Sequence, residues 1–190
     1  MSRQLHLNLF LMARGHHEGA WRHPGANLTA LTDLELYVDA ARIAENAKFD
    51  AVFLADTLVG PENSQLVASG LLEPITLLTA MALKTERIGL IGTASTTYSH
   101  PYTLARQFAT LDHISKGRAG WNIVTSWAPK AGENYGLAEN VDHADRYRIA
   151  QEFVEAVDAL WRSFPASSIV DDAASGQFLD IGQVRPAGYA

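Results

Sequence analysis

Three strand-length apolar runs in this chain end in a polar cluster and then pass into an amphipathic helix, and that recurrence limits the architecture more than any single residue does. Asp56-Thr57 follows Ala51-Val52-Phe53-Leu54-Ala55, the hydroxyl-rich run 93–97 follows Ile88-Gly89-Leu90-Ile91-Gly92, and Thr125-Ser126 follows Trp121-Asn122-Ile123-Val124. In parallel α/β architectures every strand delivers its C-terminal end to the same face, so polar groups distant in sequence converge there. Chemistry is expected on that face.

The remaining pattern fills in the units. Residues 5–11 alternate apolar and polar and read as a first strand. Thr32-Asp33-Leu34-Glu35 has the form of a capping box with Thr32 as cap, and Leu34, Val38, Ala41 and Ala44 share one face of a helix running to about Lys48. The second strand, 50–55, is apolar almost throughout, as strands covered on both faces tend to be. Pro74 and Pro101 suit first helical positions. The stripes Ile75, Leu78, Ala82 and Leu104, Phe108, Leu111, Ile114 follow them, with a strand over 87–93 between and Gly117 as a C-cap. A fourth strand over 118–125 leads to a helix that starts near 142–145 and buries Ile149, Phe153, Val157, Leu160 and Trp161. Four β-α units in a right-handed run make either a doubly wound sheet or part of a (β/α)8 barrel. A complete barrel needs about 250 residues, so in the barrel case this chain supplies the first half. The stretch 164–190 offers no fifth strand and helix, and 171–176 is turn-rich.

With 190 residues, 47% of them hydrophobic, the chain is expected to form a single domain over 1–190. A net charge of −6 and the lack of Lys/Arg runs interleaved with aromatics argue against a phosphate-backbone binder, so no nucleic-acid partner is expected. The absence of cysteine removes disulfides, Cys-ligated zinc, iron–sulfur sites and a Cys nucleophile together. No secretory leader and no run approaching the ~18 apolar residues of a membrane span is read, so a cytoplasmic protein without a membrane partner is expected.

The usual ligand motifs are missing: G-x-G-x-x-G, the P-loop, the G-x-S-x-G elbow and H-E-x-x-H. Candidate residues therefore come from position. Asp56, at the end of an apolar strand, can accept hydrogen bonds from a ligand or equally cap a local turn. The hydroxyls of 93–97, Thr93 first among them, suit a heterocycle or phosphate, although each alone fits strand propensity and turn chemistry. Asn122 lies within an apolar strand and must find partners for a donor and an acceptor, either in a neighbouring loop or on a ring edge that presents both. His143 and Tyr147 are four apart at a helix start, where the dipole favours an anion; an exposed His and a half-buried Tyr is the plainer reading. His16, His17 and His23 lack a carboxylate at ligand spacing, so no metal is expected.

Several blocks occurring in order, 93–98, Pro101-Tyr102 with Ala105-Arg106, 111–115, 117–126 and His143-Ala-Asp-Arg146-Tyr147, resemble the nitrilotriacetate monooxygenase component A group of bacterial-luciferase-like flavin monooxygenases. The resemblance runs from about Leu5 to Trp161 and weakly into Asp171-Asp172. It implies a (β/α)8 TIM barrel of luciferase-like type, of which this chain is the N-terminal half with about the first four β-α units. It also implies FMN, received as FMNH2 from a separate NAD(P)H:flavin reductase, with O2 and a small organic molecule as substrates and a homo-oligomer as the assembly. Asp56, Thr93, Asn122, His143 and Tyr147 match positions expected to contact flavin; no catalytic acid or base is assigned. Substrate choice is expected to lie in the loops 57–73 and 16–23 and in segments beyond the chain. Two alternatives stay open: a non-catalytic half-barrel that self-associates or only binds flavin, and a deazaflavin-dependent oxidoreductase of the same superfamily.

Overall fold

The computed structural model describes residues 5–17, 19–26, 31–60, 72–139 and 141–188. Four parallel strands form one sheet in the order β1 (Asn8–Phe10), β2 (Ala51–Leu54), β3 (Gly89–Ser95), β4 (Ala119–Val124). The helices between and after them are α1 (Leu34–Asn46), α2 (Pro74–Ala82), α3 (Pro101–Ser115) and α4 (His143–Ser163). The expected β-α alternation is therefore present, with the strands in sequence order as a barrel requires.

Helix starts follow their local chemistry. Pro74 and Pro101 both occupy the first turn, and the Glu73 carboxylate accepts the N–H groups of Ile75 and Thr76 at 2.9 and 2.7 Å. Helix α1 departs from expectation by one residue: its cap is Asp33, whose carboxylate accepts the Glu35 N–H at 3.1 Å, not Thr32. Thr and Asp are both good caps, and their adjacency makes the register ambiguous from sequence. Helix α3 ends with Lys116 at φ 60° and Gly117 at φ 85°, and the Gly117 N–H closes on the Asp112 carbonyl at 2.9 Å.

The core lies on one side of the sheet. Val38, Ala41, Val52, Leu78, Met81, Ile88, Leu90 and Leu111 form a buried cluster under α1 and α2. A second cluster under α3 and α4 joins Ile75, Ala94, Leu104, Phe108, Phe153 and Val157, with Trp121 packed against it. Trp161 donates its indole N–H to the Ala105 carbonyl at 3.0 Å and so fastens α4 to α3. Leu34 and Ile114, expected in the buried stripes, are instead exposed. Gly92 permits the close approach of α2, because a Cβ there would sit 3.0 Å from Leu78 Cδ1.

Period-two alternation sends the intervening residues to the opposite, inner face. Register places Phe10, Phe53, Ile91 and Gly120 in one layer there, and Thr93 and Asn122 in the next layer toward the strand ends. Phe10 and Phe53 meet at 4.7 Å between ring centroids. After α4 the chain forms an antiparallel hairpin, β5 (Ile169–Asp172) and β6 (Gln177–Leu179), separate from the main sheet. Its turn was legible, and Asp172 orders it by accepting from the Ala174 N–H and the Ser175 hydroxyl at 2.9 and 2.6 Å.

Candidate functional site

At the N-terminal end of the strands nearly every polar group is satisfied. Arg118, just before β4, donates from Nε to the Ser115 carbonyl, from Nη1 to Thr85 Oγ1 and the Ile88 carbonyl, and from Nη2 to the Ala82 and Thr85 carbonyls, all within 2.7–3.1 Å. Glu45 Oε1 accepts the N–H groups of Glu86, Arg87 and Ile88. This end is a structural clasp that fixes where β3 and β4 begin.

The opposite end opens into a cleft of about 990 Å³. Asp56, Thr93, Asn122, His143 and Tyr147 all line it. These five residues come from the loop after β2, the strands β3 and β4, and the first turn of α4, so the topology converges them as the sequence pattern suggested.

Thr93 and Asn122 face each other across β3 and β4, and Asn122 Nδ2 donates to Thr93 Oγ1 at 3.0 Å. That bond uses the Thr93 oxygen as acceptor, leaving its hydroxyl proton free to turn toward a ligand. The amide oxygen of Asn122 is then held in a defined orientation. Burial raises the Asp56 carboxyl above its ordinary value, the Thr57 N–H opposes the shift, and the negative Glu73 adds to it. Tyr135 stacks on Tyr98 at 4.7 Å between centroids with 12° between the planes. Its phenol is raised by burial and by the nearby charge of Asp56 and by Tyr98. Residues Pro129–Tyr135 form a 3-10 segment, and Asn134 ties it to the loop after β2 by donating to the Leu58 carbonyl at 2.8 Å.

The other hydroxyls after Thr93 serve the fold. Strand β3 continues to Ser95, two residues beyond the expected end. Thr96 and Thr97 then donate to the carbonyls of Val124 and Thr125 at 3.2 and 2.7 Å, and Ser126 donates to Ser95 Oγ at 2.8 Å. Ser126 holds φ 49°, an uncommon conformation for a residue with a Cβ, at the cleft wall. Trp127 beside it is 81% exposed and lines the same cleft.

His143 and Tyr147 stack with ring centroids 5.0 Å apart at the start of α4, whose cap Asp142 accepts the Ala144 N–H at 3.3 Å. Arg146, between them, was not read as a site residue. It lines the cleft yet is only 9% exposed, and its Nε–H is buried without a hydrogen-bond partner. A sequence signal did exist: a cation in the first turn opposes the helix dipole, so its presence there calls for a partner. The first-loop histidines act locally, His16 Nε2 pairing with the Phe10 carbonyl at 3.0 Å and His17 and His23 accepting from Gly19 and Gly25. Among the described residues no group of His, Asp or Glu could hold a metal, and no helix is long and apolar enough to cross a membrane. Most of the 57–73 loop, from 61 to 71, lies outside the described residues.

A curated relative, N-acetyl-S-(2-succino)cysteine monooxygenase of Bacillus subtilis (strain 168), is 44% identical over 94% of this chain and 40% of its own length. Nitrilotriacetate monooxygenase component A of Aminobacter aminovorans is 42% identical over 93% of this chain and 42% of its own. The chain thus spans less than half the length of these relatives. Among solved structures, a riboflavin lyase described with modified FMN and riboflavin superposes with TM-score 0.85 at 35% identity, over 96% of this chain and 43% of that one. The family described as luciferase-like monooxygenase matches residues 10–186. The parallel sheet with alternating helices is about the first four β/α units of that family's barrel, and the chain belongs to the luciferase-like monooxygenase family.

Proposed function

We propose that this chain carries the flavin-contacting part of a two-component monooxygenase. In this reading reduced FMN, delivered by a separate NAD(P)H:flavin reductase, and O2 are used to oxygenate a small organic molecule. The observation that carries the reading is the convergence of Asp56, Thr93, Asn122, His143 and Tyr147 on one cleft at the strand ends. The residues fit the group. A flavin's pyrimidine edge presents donors and acceptors together, which suits the oriented Asn122 amide and the Thr93 hydroxyl, and its phosphate end suits a helix start that carries an unpartnered buried guanidinium. When bound, reduced flavin supplies the two electrons with which one oxygen atom enters substrate and the other leaves as water. The chain's own residues bind and orient. Asn122 and Thr93 fix the heterocycle's register, Asp56 presents a carboxyl that burial inclines toward its protonated form, and Trp127 covers part of the mouth. One domain over 1–190, a cytoplasmic location and a homo-oligomer belong to the same proposal.

A second reading is a self-associating unit that binds flavin without turnover. Anaerobic titration with photoreduced FMN, with light scattering on the same sample, separates the two. Saturable binding by a monodisperse species, followed by oxygen transfer when substrate and O2 are supplied, supports the first. Saturable binding by an oligomer with no transfer supports the second. Absence of binding refutes both, and deazaflavin binding in place of FMN redirects the assignment.

A further inference from the structure

Loops from three strands meet beside Asp56, and a short segment of one ties the other two to it. The 3-10 segment Pro129–Tyr135 follows β4. From it, Asn134 Nδ2 donates at 2.8 Å to the Leu58 carbonyl in the loop after β2, and Tyr135 stacks on Tyr98 in the loop after β3. The segment is closed on itself. Ala131 is fully buried, and the Leu137 N–H bonds the Gly132 carbonyl at 2.9 Å. A Cβ at Gly132 would lie 3.3 Å from the Glu139 carbonyl and 3.7 Å from Tyr98 Oη, so the tyrosine lies against the segment. Leu58, Lys130 and Ala131 all line the cleft, so the contact joins two parts of its wall.

Asp56 lies two residues before Leu58, half-buried on the cleft lining, where desolvation opposes its charge. Tyr135 is near enough for that charge to raise its phenol. The other titratable groups around Asp56 are Glu73 at the start of α2, Tyr98, and Lys130, His143 and Arg146 elsewhere on the lining. A carboxylate on an unrestrained loop turns toward water. Holding this one against the wall needs a restraint from outside the loop.

The geometry points to Asn134 and Tyr135 as positioning residues: by fixing the Leu58 carbonyl and stacking on Tyr98, they hold the loop after β2 where Asp56 meets the bound ligand. This deepens the flavin reading, resting on it for the identity of the ligand but not for the link between the loops. A side-chain amide suits the task because it bonds a backbone carbonyl without bringing a charge next to Asp56. The aromatic stack restrains the other end of the contact in position and tilt.

The test follows the Asp56 carboxyl by 13C NMR across pH in wild type, Asn134→Ala, Tyr135→Leu and Tyr135→Phe, with Asp56→Asn identifying the signal by its loss. Wild-type Asp56 should titrate above the ordinary carboxylate range, and the midpoint should fall back toward that range in Asn134→Ala and Tyr135→Leu. Tyr135→Phe keeps the ring and should restore the wild-type midpoint. In parallel, Asn134→Ala should weaken FMN binding in anaerobic titration about tenfold, but less than about twofold in an Asp56→Asn background, because the loss runs through the carboxyl. A midpoint unmoved in Asn134→Ala and Tyr135→Leu, or an equal loss of FMN affinity in both backgrounds, overturns the inference. A wild-type measurement decides the matter even where a variant fails to fold: the Asn134 carboxamide signals should shift with the Asp56 midpoint, and their indifference to it overturns the link. A midpoint that responds to Asn134→Ala in a protein that binds no flavin upholds the positioning and refutes the flavin reading alone.

Discussion

Replacing Arg118 with lysine should cost this protein a large part of its stability without touching the cleft. The guanidinium uses all five of its donors, on carbonyls from the end of α2, the turn after it, the residue before β3 and the end of α3, and on the Thr85 hydroxyl. An ammonium has three donors on a point charge, so at least two contacts are lost and the freed carbonyls are only part-buried. At roughly 1.5–3 kcal/mol for a hydrogen bond to a charged group, discounted for partial exposure, the expected loss is about 3 kcal/mol. Against a domain stability of roughly 5–15 kcal/mol that is severe. Urea unfolding followed by circular dichroism should show a lower midpoint with an unchanged slope. Because the clasp lies at the N-terminal ends of the strands, flavin affinity of the variant that remains folded should stay within about twofold of wild type. A stability loss under about 1 kcal/mol would refute the reasoning, since it would mean the five contacts are no better than hydration.

Other outcomes are equally specific. Burial pulls the Glu45 carboxyl upward, but the N–H bonds from Arg87, Ile88 and Glu86 and the Arg87 charge outweigh it and leave the group below its ordinary range. Its contribution is therefore complete above the unfolded-state value of about 4.3 and is lost as pH falls through the lower folded-state value. Urea midpoints between pH 3 and 7 should lose this acid-limb dependence in Glu45→Gln. Asp56 has the opposite sign: its raised carboxyl is a cost above the folded-state value that is relieved as pH falls, so Asp56→Asn should be more stable than wild type at neutral pH by thermal unfolding. Asn122→Leu removes the donor to Thr93 and the oriented amide oxygen, and Trp fluorescence titration should show flavin binding weakened about tenfold with a thermal midpoint little changed.

What could be read from the sequence was whatever local chemistry determines. Prolines 74 and 101 mark helix starts because their fixed φ suits the first turn and little else. The apolar runs 51–54 and 89–92 mark parallel strands because such strands are apolar almost throughout. The misreadings share one cause, competition that only tertiary contact resolves. Thr32 and Asp33 are both capping residues, and the chain's entry into α1 selects the second. The hydroxyls 93–97 looked like one ligand-facing set, but β3 runs on to Ser95, and the carbonyls of Val124 and Thr125 take Thr96 and Thr97. Arg146 was hidden for the same reason: a helix read by its apolar stripe assigns an arginine to solvent, whereas the cleft wall encloses this one.

The two ends of the sheet thus differ in how completely their polar groups are satisfied, and that difference bears on function. At the N-terminal end, Arg118, Glu45 and Asp50, which accepts the Leu7 N–H at 2.7 Å, leave little for a ligand to do. At the C-terminal end, a buried Nε–H lacks an acceptor and a carboxyl is raised by burial. A sequence that satisfies one end and leaves the other frustrated concentrates the gain from a ligand where the frustration lies. If that account is right, a ligand that meets Arg146 and Asn122 together adds stability by mass action, about 2.7 kcal/mol at a hundred times its dissociation constant. The same increment should appear in an Arg118→Lys background, because none of the residues that Arg118 bonds lines the cleft. Thermal midpoints of both proteins, with and without saturating FMN, provide the comparison. An increment that shrinks in the Arg118 variant would show that the clasp sets the geometry of the cleft, and the division between a supporting end and a binding end would have to be abandoned.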